Sequence, residues 1–259
     1  MTRQQHGDAD LSLAGDLVTE AGRIATRMRA AGLSTTEKTS ISDIVTDADR
    51  AAERYIAQRL QAERGQDSVV GEEGAAQTGD SGRTWYVDPV DGTYNFAFGL
   101  DEWCAAVGRA DEDGPELGAI YQPSADCLWL GGRSTPTTRN GVPVVPLVPR
   151  PLADGSVVTY IHPTTLPDDG VRRPLLTVIQ QAATVRMLGS GSIELASIAG
   201  SRIGAFIQTD CLPWDWLPGA AIVHAAGGAT SVFELHGHRW HLAGNATAVA
   251  EMESIVRSV

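Results

Sequence analysis

Between Leu11 and Ala31 the apolar residues Ala14, Leu17, Val18, Ala21, Ile24, Ala25 and Met28 return at steps of three and four. That spacing puts them on one helical face and predicts a helix with one buried side, ended by Gly32. A second helix is predicted just after Thr46-Asp47-Ala48-Asp49, where Ala52, Tyr55, Ile56 and Leu60 keep helical spacing and the acids suit a helix start. Asp49 then falls near its first turn. Short runs at Ser68-Val69-Val70 and Thr84-Trp85-Tyr86-Val87 read as strands, each ending on carboxylates: Glu72-Glu73 after the first and Asp88 after the second. Both strands are expected to feed one site.

Trp103 to Arg109, Leu117 to Tyr121 and Leu128 to Gly131 read as further strands of an antiparallel meander. Asn140-Gly141 marks a turn, and Pro143, Pro146 and Pro149 demote Val142 to Val148 to an edge or loop. From Leu152 to Asp169 the chain is rich in Pro, Asp and Thr, which suggests a boundary between two lobes, 1–150 and 151–259, of one compact unit. Beyond it, helices are expected near Val171 to Thr184, Ser192 to Ala199 and Asp215 to Ala226, and strands at Ala205 to Thr209 and Ala229 to Phe233.

The 259 residues, 42% of them hydrophobic, suffice for a substantial core. With 32 acidic against 20 basic residues the formal net charge is -12, which repels polyanions, and Arg172-Arg173 reads as solvated surface; nucleic acid is not an expected partner. Cys104, Cys127 and Cys211 are odd in number and widely spaced, suiting reduced thiols better than a disulfide framework. Met1 to Asp10 is polar and lacks a signal-peptide core, and no stretch offers the roughly 18 unbroken apolar residues of a membrane span, so a cytoplasmic protein without membrane attachment is expected.

In Asp88-Pro89-Val90-Asp91-Gly92-Thr93, paired carboxylates stand where a strand ends, with backbone N–H groups and a hydroxyl after them. Alone, the segment reads as an ordinary turn. With Glu72 before it and Trp214-Asp215 after it, however, Glu72, Asp88, Asp91 and Asp215 supply the negative charge to balance two divalent ions. Oxygen ligands of this kind suit magnesium. A cap role alone would also explain Asp215, with Pro218 in the first turn of its helix.

Four motifs in order, Asp43-Ile44-Val45-Thr46-Asp47-Ala48-Asp49, Gly71-Glu72-Glu73, Asp88 to Phe96 (DPVDGTYNF) and Trp214-Asp215 to Gly219 with Gly227-Gly228, resemble the inositol monophosphatase family over nearly the whole chain. The resemblance implies an α/β (α+β) fold, a layered αβαβα sandwich, and a Mg2+-dependent phosphomonoesterase that uses two-metal activated water. It implies two or three Mg2+ ions per site, with Mn2+ as a substitute and Li+ as an inhibitor. Glu72, Asp88 and the Val90 carbonyl would hold the first ion, and Asp88, Asp91 and Asp215 the second. Glu72 and Thr93 would orient the attacking water, and Asp49 would hydrogen-bond Thr93. Gly92, Thr93, Ser190, Gly191 and Gln208 would face the substrate, Ser190 and Gly191 through Gly189-Ser190-Gly191-Ser192, whose serines also suit helix capping.

Glu73 reads as either a supporting residue or surface, and Lys38 as a solvated lysine, while His236 and His238 read as exposed turn residues. The resemblance further implies a homodimer and a small phosphorylated metabolite, inositol monophosphate first, with other polyol or sugar phosphates close behind. Fructose 1,6-bisphosphate, histidinol phosphate and adenosine 3',5'-bisphosphate are the rival substrates within the family, and an inactive phosphometabolite-binding relative is the remote alternative. At the position where inositol phosphatases usually carry a glutamate, this chain has Gln208, which still accepts a hydrogen bond but without charge assistance. Asp210 could take over only if its loop shifted.

Overall fold

The computed structural model describes residues 3–40 and 43–259, with side chains from residue 9 to 36 and from 45 onward. The side chains of Lys38 and Asp43 therefore lie outside the described residues. Helix α1 (Arg3–Ala31) leads into a hairpin, β1 (Thr35–Ser40) and β2 (Asp43–Thr46), and then α2 (Asp47–Glu63). Helix α1 begins ahead of its apolar periodicity, because a helix once nucleated propagates without a buried face. Helix α2 starts as a capping box: Thr46 Oγ1 accepts from the amides of Ala48 and Asp49, and the Asp49 carboxylate accepts from the Thr46 amide at 3.1 Å.

The first sheet follows: β3 (Ser68–Gly71), β4 (Ala76–Gln77), β5 (Thr84–Asp91), then after the short α3 (Thr93–Ala97) the strands β6 (Cys104–Asp111), β7 (Gly114–Gln122), β8 (Cys127–Gly132), β9 (Thr135–Arg139) and β10 (Val142–Pro143). Its order is β10-β9-β8-β7-β6-β5-β3-β4, antiparallel except for the parallel pair β3 and β5. The predicted meander is β6 to β8. Strand β9, Thr-Pro-Thr-Thr-Arg, was not predicted: its single buried side chain is Thr137, so it carries no apolar alternation.

Strand β11 (Ser156–Val158) opens the second half, followed by α4 (Asp169–Gln181), β12 (Thr184–Arg186), α5 (Gly191–Ala199), β13 (Ala205–Thr209), α6 (Pro213–Ala225), β14 (Ala229–Leu235), β15 (His238–Gly244) and α7 (Ala246–Ser258). The second sheet runs β12-β11-β13-β15-β14. The segment expected to be only a boundary thus contains a core strand, β11, whose Val157 and Val158 are fully buried. Three residues are too few to show a period. Strand β12 is exposed throughout, β15 starts on polar residues and is then buried on both faces, and α7 rests on Ala248, Val249, Met252 and Val256 behind the cap of Asn245; none of these elements was predicted. Helix α4 stops at Gln181, short of the expected Thr184.

Apolar contacts stack these elements into the αβαβα sandwich. Leu17, Val18 and Ala21 of α1 and Ala52 and Ile56 of α2 pack on Trp85, Val87, Ala105 and Val107 of the first sheet. Between the sheets, Leu195 and Ile198 of α5 and Ile222 and Val223 of α6 meet Ala106 and Ile120 on one side and Val158 and Phe206 on the other. Helices α4 and α7 cover the far face of the second sheet through Leu175, Val178, Met252 and Val256. Helix α6 sits on the first sheet backbone to backbone: at the register pair Gly108 and Gly118, an added Cβ would come within 2.8 Å of the Pro218 nitrogen and 2.0 Å of the Pro218 oxygen respectively. Among the described residues no helix is long and apolar enough to cross a membrane.

Candidate active site

In a regular strand, residues three apart point to opposite faces. Strand β5 breaks that rule at its end: Asp88 pairs with Ala106 but Asp91 with Cys104, so an extra residue bulges out between them and both carboxylates turn to one side. Asp215 arrives from the first turn of α6, and a carboxylate oxygen from each of Asp88, Asp91 and Asp215 lies within 4.8 Å of the others. Helix α6 begins two residues earlier than expected: Pro213 occupies its first position, Leu212 is the cap, and Pro218 lies inside the helix. Asp215 is therefore not the helix cap, so capping does not explain its placement beside two other acids.

Asp91 Oδ2 accepts the Ser192 amide at 2.6 Å, so the start of α5 is tied to the end of β5. Ser190 caps α5, its Oγ accepting from the Ile193 amide at 3.4 Å; Ser192 does not. Gly92, at φ +90, turns the chain into α3, and a Cβ there would come within 2.8 Å of the Glu102 oxygen and 3.0 Å of the Gly189 oxygen. Asn95 secures this approach by donating to the carbonyls of Glu102 and Leu188, each at 2.7 Å. Thr93 Oγ1 lies 2.9 Å from the Val90 carbonyl and 3.2 Å from Asp49 Oδ1, with one proton to donate between them. Asp49 is itself held by Thr46, through the capping box and a very short contact between the Thr46 hydroxyl and Asp49 Oδ2.

Glu72 follows β3 and lines the same cavity, outside the tight trio. Its turn is held from below by buried Glu53, whose carboxylate accepts the amides of Glu73 and Ala75, each at 2.8 Å. The cavity has a volume of about 470 Å3, with Thr93, Ser190, Gly191, Gln208 and Asp215 on its walls and Asp88 buried beneath. Tyr160, Pro163 and Phe206 add an apolar side. Asp210 is committed elsewhere: its Oδ1 accepts the Arg239 amide at 2.9 Å and its Oδ2 lies 2.6 Å from His238 Nδ1. His238 is accordingly no exposed turn residue but a bridge, with Nε2 3.1 Å from Asp168 Oδ2, and these acids raise its pKa.

Burial raises the pKa of every acid in the trio. Asp88 is driven well up by burial and then by the charges of Glu72, Asp91 and Asp215. Asp215 is pushed up to about 8 by burial and by Asp91 and Glu72, while burial raises Asp91 against the pull of the Ser192 N–H. Asp49 rises to about 6, burial outweighing its Thr46 hydrogen bond. Such mutual frustration is what a cation relieves.

Sequence reasoning missed Glu53, Asn95 and Glu194. Glu194 is buried in α5, its Oε1 accepting the amides of Leu188 at 2.8 Å and Gly189 at 3.3 Å. An acid inside the largely apolar run Ile193 to Ala199 was the available signal.

The family model of the inositol monophosphatase family matches residues 8–258. The chain belongs to the inositol monophosphatase family. Its relatives include the inositol-1-monophosphatase of Synechocystis sp., 32% identical and aligned over 76% of this chain and 70% of that one. The fructose-1,6-bisphosphatase/inositol-1-monophosphatase of Thermotoga maritima is 27% identical over 76% of this chain and 74% of its own. Among solved structures, the extragenic suppressor protein suhB of Bartonella henselae superposes with a TM-score of 0.86 at 25% identity, over 96% of this chain and 98% of that one. As a member of the inositol monophosphatase family, the protein is a phosphatase, a phosphoric monoester hydrolase. The family is metal-dependent, and the buried carboxylate oxygens of Asp88, Asp91 and Asp215 are a donor set that fits a hard divalent cation.

Proposed function

We propose that this phosphatase hydrolyses a small polyol or sugar phosphate, inositol monophosphate first among them, with Mg2+ held by Glu72, Asp88, the Val90 carbonyl, Asp91 and Asp215. The observation that carries this reading is the convergence of Asp88, Asp91 and Asp215 within 4.8 Å, with burial and repulsion raising their pKa values. Bound magnesium supplies a Lewis acid that activates water and stabilises the departing oxygen. The protein's own groups do the positioning. Glu72 accepts the proton of the attacking water, and the Thr93 hydroxyl, steered by Asp49 at 3.2 Å, orients that water. Gly92, Ser190 and Gly191 face the phosphate from the cavity wall, while Gln208 meets the alcohol half.

The test is phosphate release from inositol 1-phosphate, fructose 1,6-bisphosphate, histidinol phosphate and adenosine 3',5'-bisphosphate, with and without Mg2+, compared by kcat/KM. No release from any of them at saturating Mg2+ would leave the inactive binding relative as the better reading. Mn2+ is expected to substitute and millimolar Li+ to inhibit; indifference to lithium would point to an altered second ion site. The lobes 1–150 and 151–259 act as one catalytic unit in this reading, since Asp91 and Asp215 come from opposite sides of the boundary. We expect a cytoplasmic homodimer, which sedimentation would check.

A further inference from the structure

Buried polar atoms in native proteins have partners, and an exception calls for one. Glu194 lines the cavity with its residue almost wholly buried; Oε1 holds the Leu188 and Gly189 amides, but Oε2 is closed to solvent and has no hydrogen-bond partner among the described residues. On the neighbouring walls stand Gln208, the Cys211 thiol and the flat sides of Tyr160 and Phe206. Among the described residues no basic side chain lines this cavity.

We propose that Glu194 is a specificity-determining residue whose Oε2 pairs with a hydroxyl on the alcohol half of the substrate, so that Glu194 and Gln208 together select an uncharged polyol. This rests on the phosphatase reading above and deepens it. The geometry makes the two functions of Glu194 separable: one oxygen anchors the loop that presents Ser190 and Gly191, and the other is left for a ligand. Burial pushes the Glu194 carboxyl up to about 8, so at neutral pH it carries a proton and offers a donor as well as an acceptor, as a hydroxyl requires.

Three probes test this: inositol 1-phosphate, its series of monodeoxy analogues, and p-nitrophenyl phosphate, whose leaving group has no such hydroxyls. Glu194→Gln keeps an oxygen for the loop amides and replaces Oε2 with a donor alone. The ratio of kcat/KM for inositol 1-phosphate to that for p-nitrophenyl phosphate should fall about tenfold in the variant, mainly through KM. An equal fall on both substrates would overturn the proposal in favour of a loop-holding role, and an unchanged ratio would do the same. In the unmodified protein, one monodeoxy analogue should lose about tenfold in kcat/KM relative to the others; a flat series, or histidinol phosphate exceeding inositol 1-phosphate, would also overturn it. Absence of turnover of inositol 1-phosphate, p-nitrophenyl phosphate and the other phosphate esters alike at saturating Mg2+ would instead remove the phosphatase reading itself, and the proposal with it.

Discussion

The two ends of the cavity are built on opposite electrostatic plans. At the Asp88 end, buried carboxylates face one another within 4.8 Å and raise each other's pKa values, so the folded protein without a cation stores repulsion there. At the Gln208 end the walls are an amide, a thiol, aromatic faces and the single carboxyl of Glu194, whose pKa burial raises. In the function proposed above, the first end takes its affinity for a hard cation from unrelieved charge. The second end, in the same reading, discriminates between family substrates through hydrogen bonds and shape.

The sharpest way to break this contrast is Asp88→Asn, which removes the central charge at the first end. Turnover is expected to fall by at least about 10³-fold while the metal-free protein becomes more stable, because a repelling buried charge has gone. Near-normal turnover, or a lower Tm without metal, would contradict the account of that end. Thr93→Ala should lower kcat by about 10²-fold with little change in KM, and a defect in KM alone would remove the water-orienting role.

Smaller effects sharpen the comparison. A carboxyl whose pKa is raised by folding stabilises the protein below its unfolded value, 3.8 for Asp215, and loses that contribution as pH rises through its folded value of about 8. Asp49 has lost its share by about pH 6. Metal-free protein should therefore lose Tm steadily from pH 4 to pH 8, by about 2–4 °C for each kcal/mol, and Mg2+ should recover most at the alkaline end. A metal-free Tm that rises across this window would count against the clustered-acid picture. The smallest expected effect is at the other end, where Gln208→Glu should raise kcat/KM for inositol 1-phosphate by tenfold at most through charge assistance, with p-nitrophenyl phosphate little affected.

What could be read from the chain follows the same division. The end of β3, the end of β5 and the acidic start of α2 near Asp49 were legible because each is a local pattern: an apolar strand stopped by acids, or acids ahead of helical apolar spacing, although the cap itself, Thr46, was not singled out. The bulge that turns Asp88 and Asp91 to one side was not legible, since it exists only in the pairing with β6. Strand β15 was hidden because Trp240, His241, Leu242 and Ala243 are buried on both faces, leaving no alternation, and its polar start at His238 looks like a turn until Asp168 and Asp210 are seen around it. The early start of α6 was signalled by Pro213, outweighed by the more conspicuous Pro218. Glu194 shows the limit most clearly: Gln208 and Tyr160, which line the same cavity, are not its neighbours in the chain.

The contact of Pro218 with Gly108 and Gly118 has a consequence for how the protein can vary. Main chain touching main chain leaves no side chain at that point whose size can be traded, so the depth at which α6 rests on the sheet is independent of how the surrounding apolar residues are repacked. Asp215, one turn before Pro218, inherits that insensitivity. Core residues elsewhere in the middle layer are free to drift in volume at a cost in stability alone, whereas the smallest enlargement at Gly118 would lift a carboxylate away from its partners.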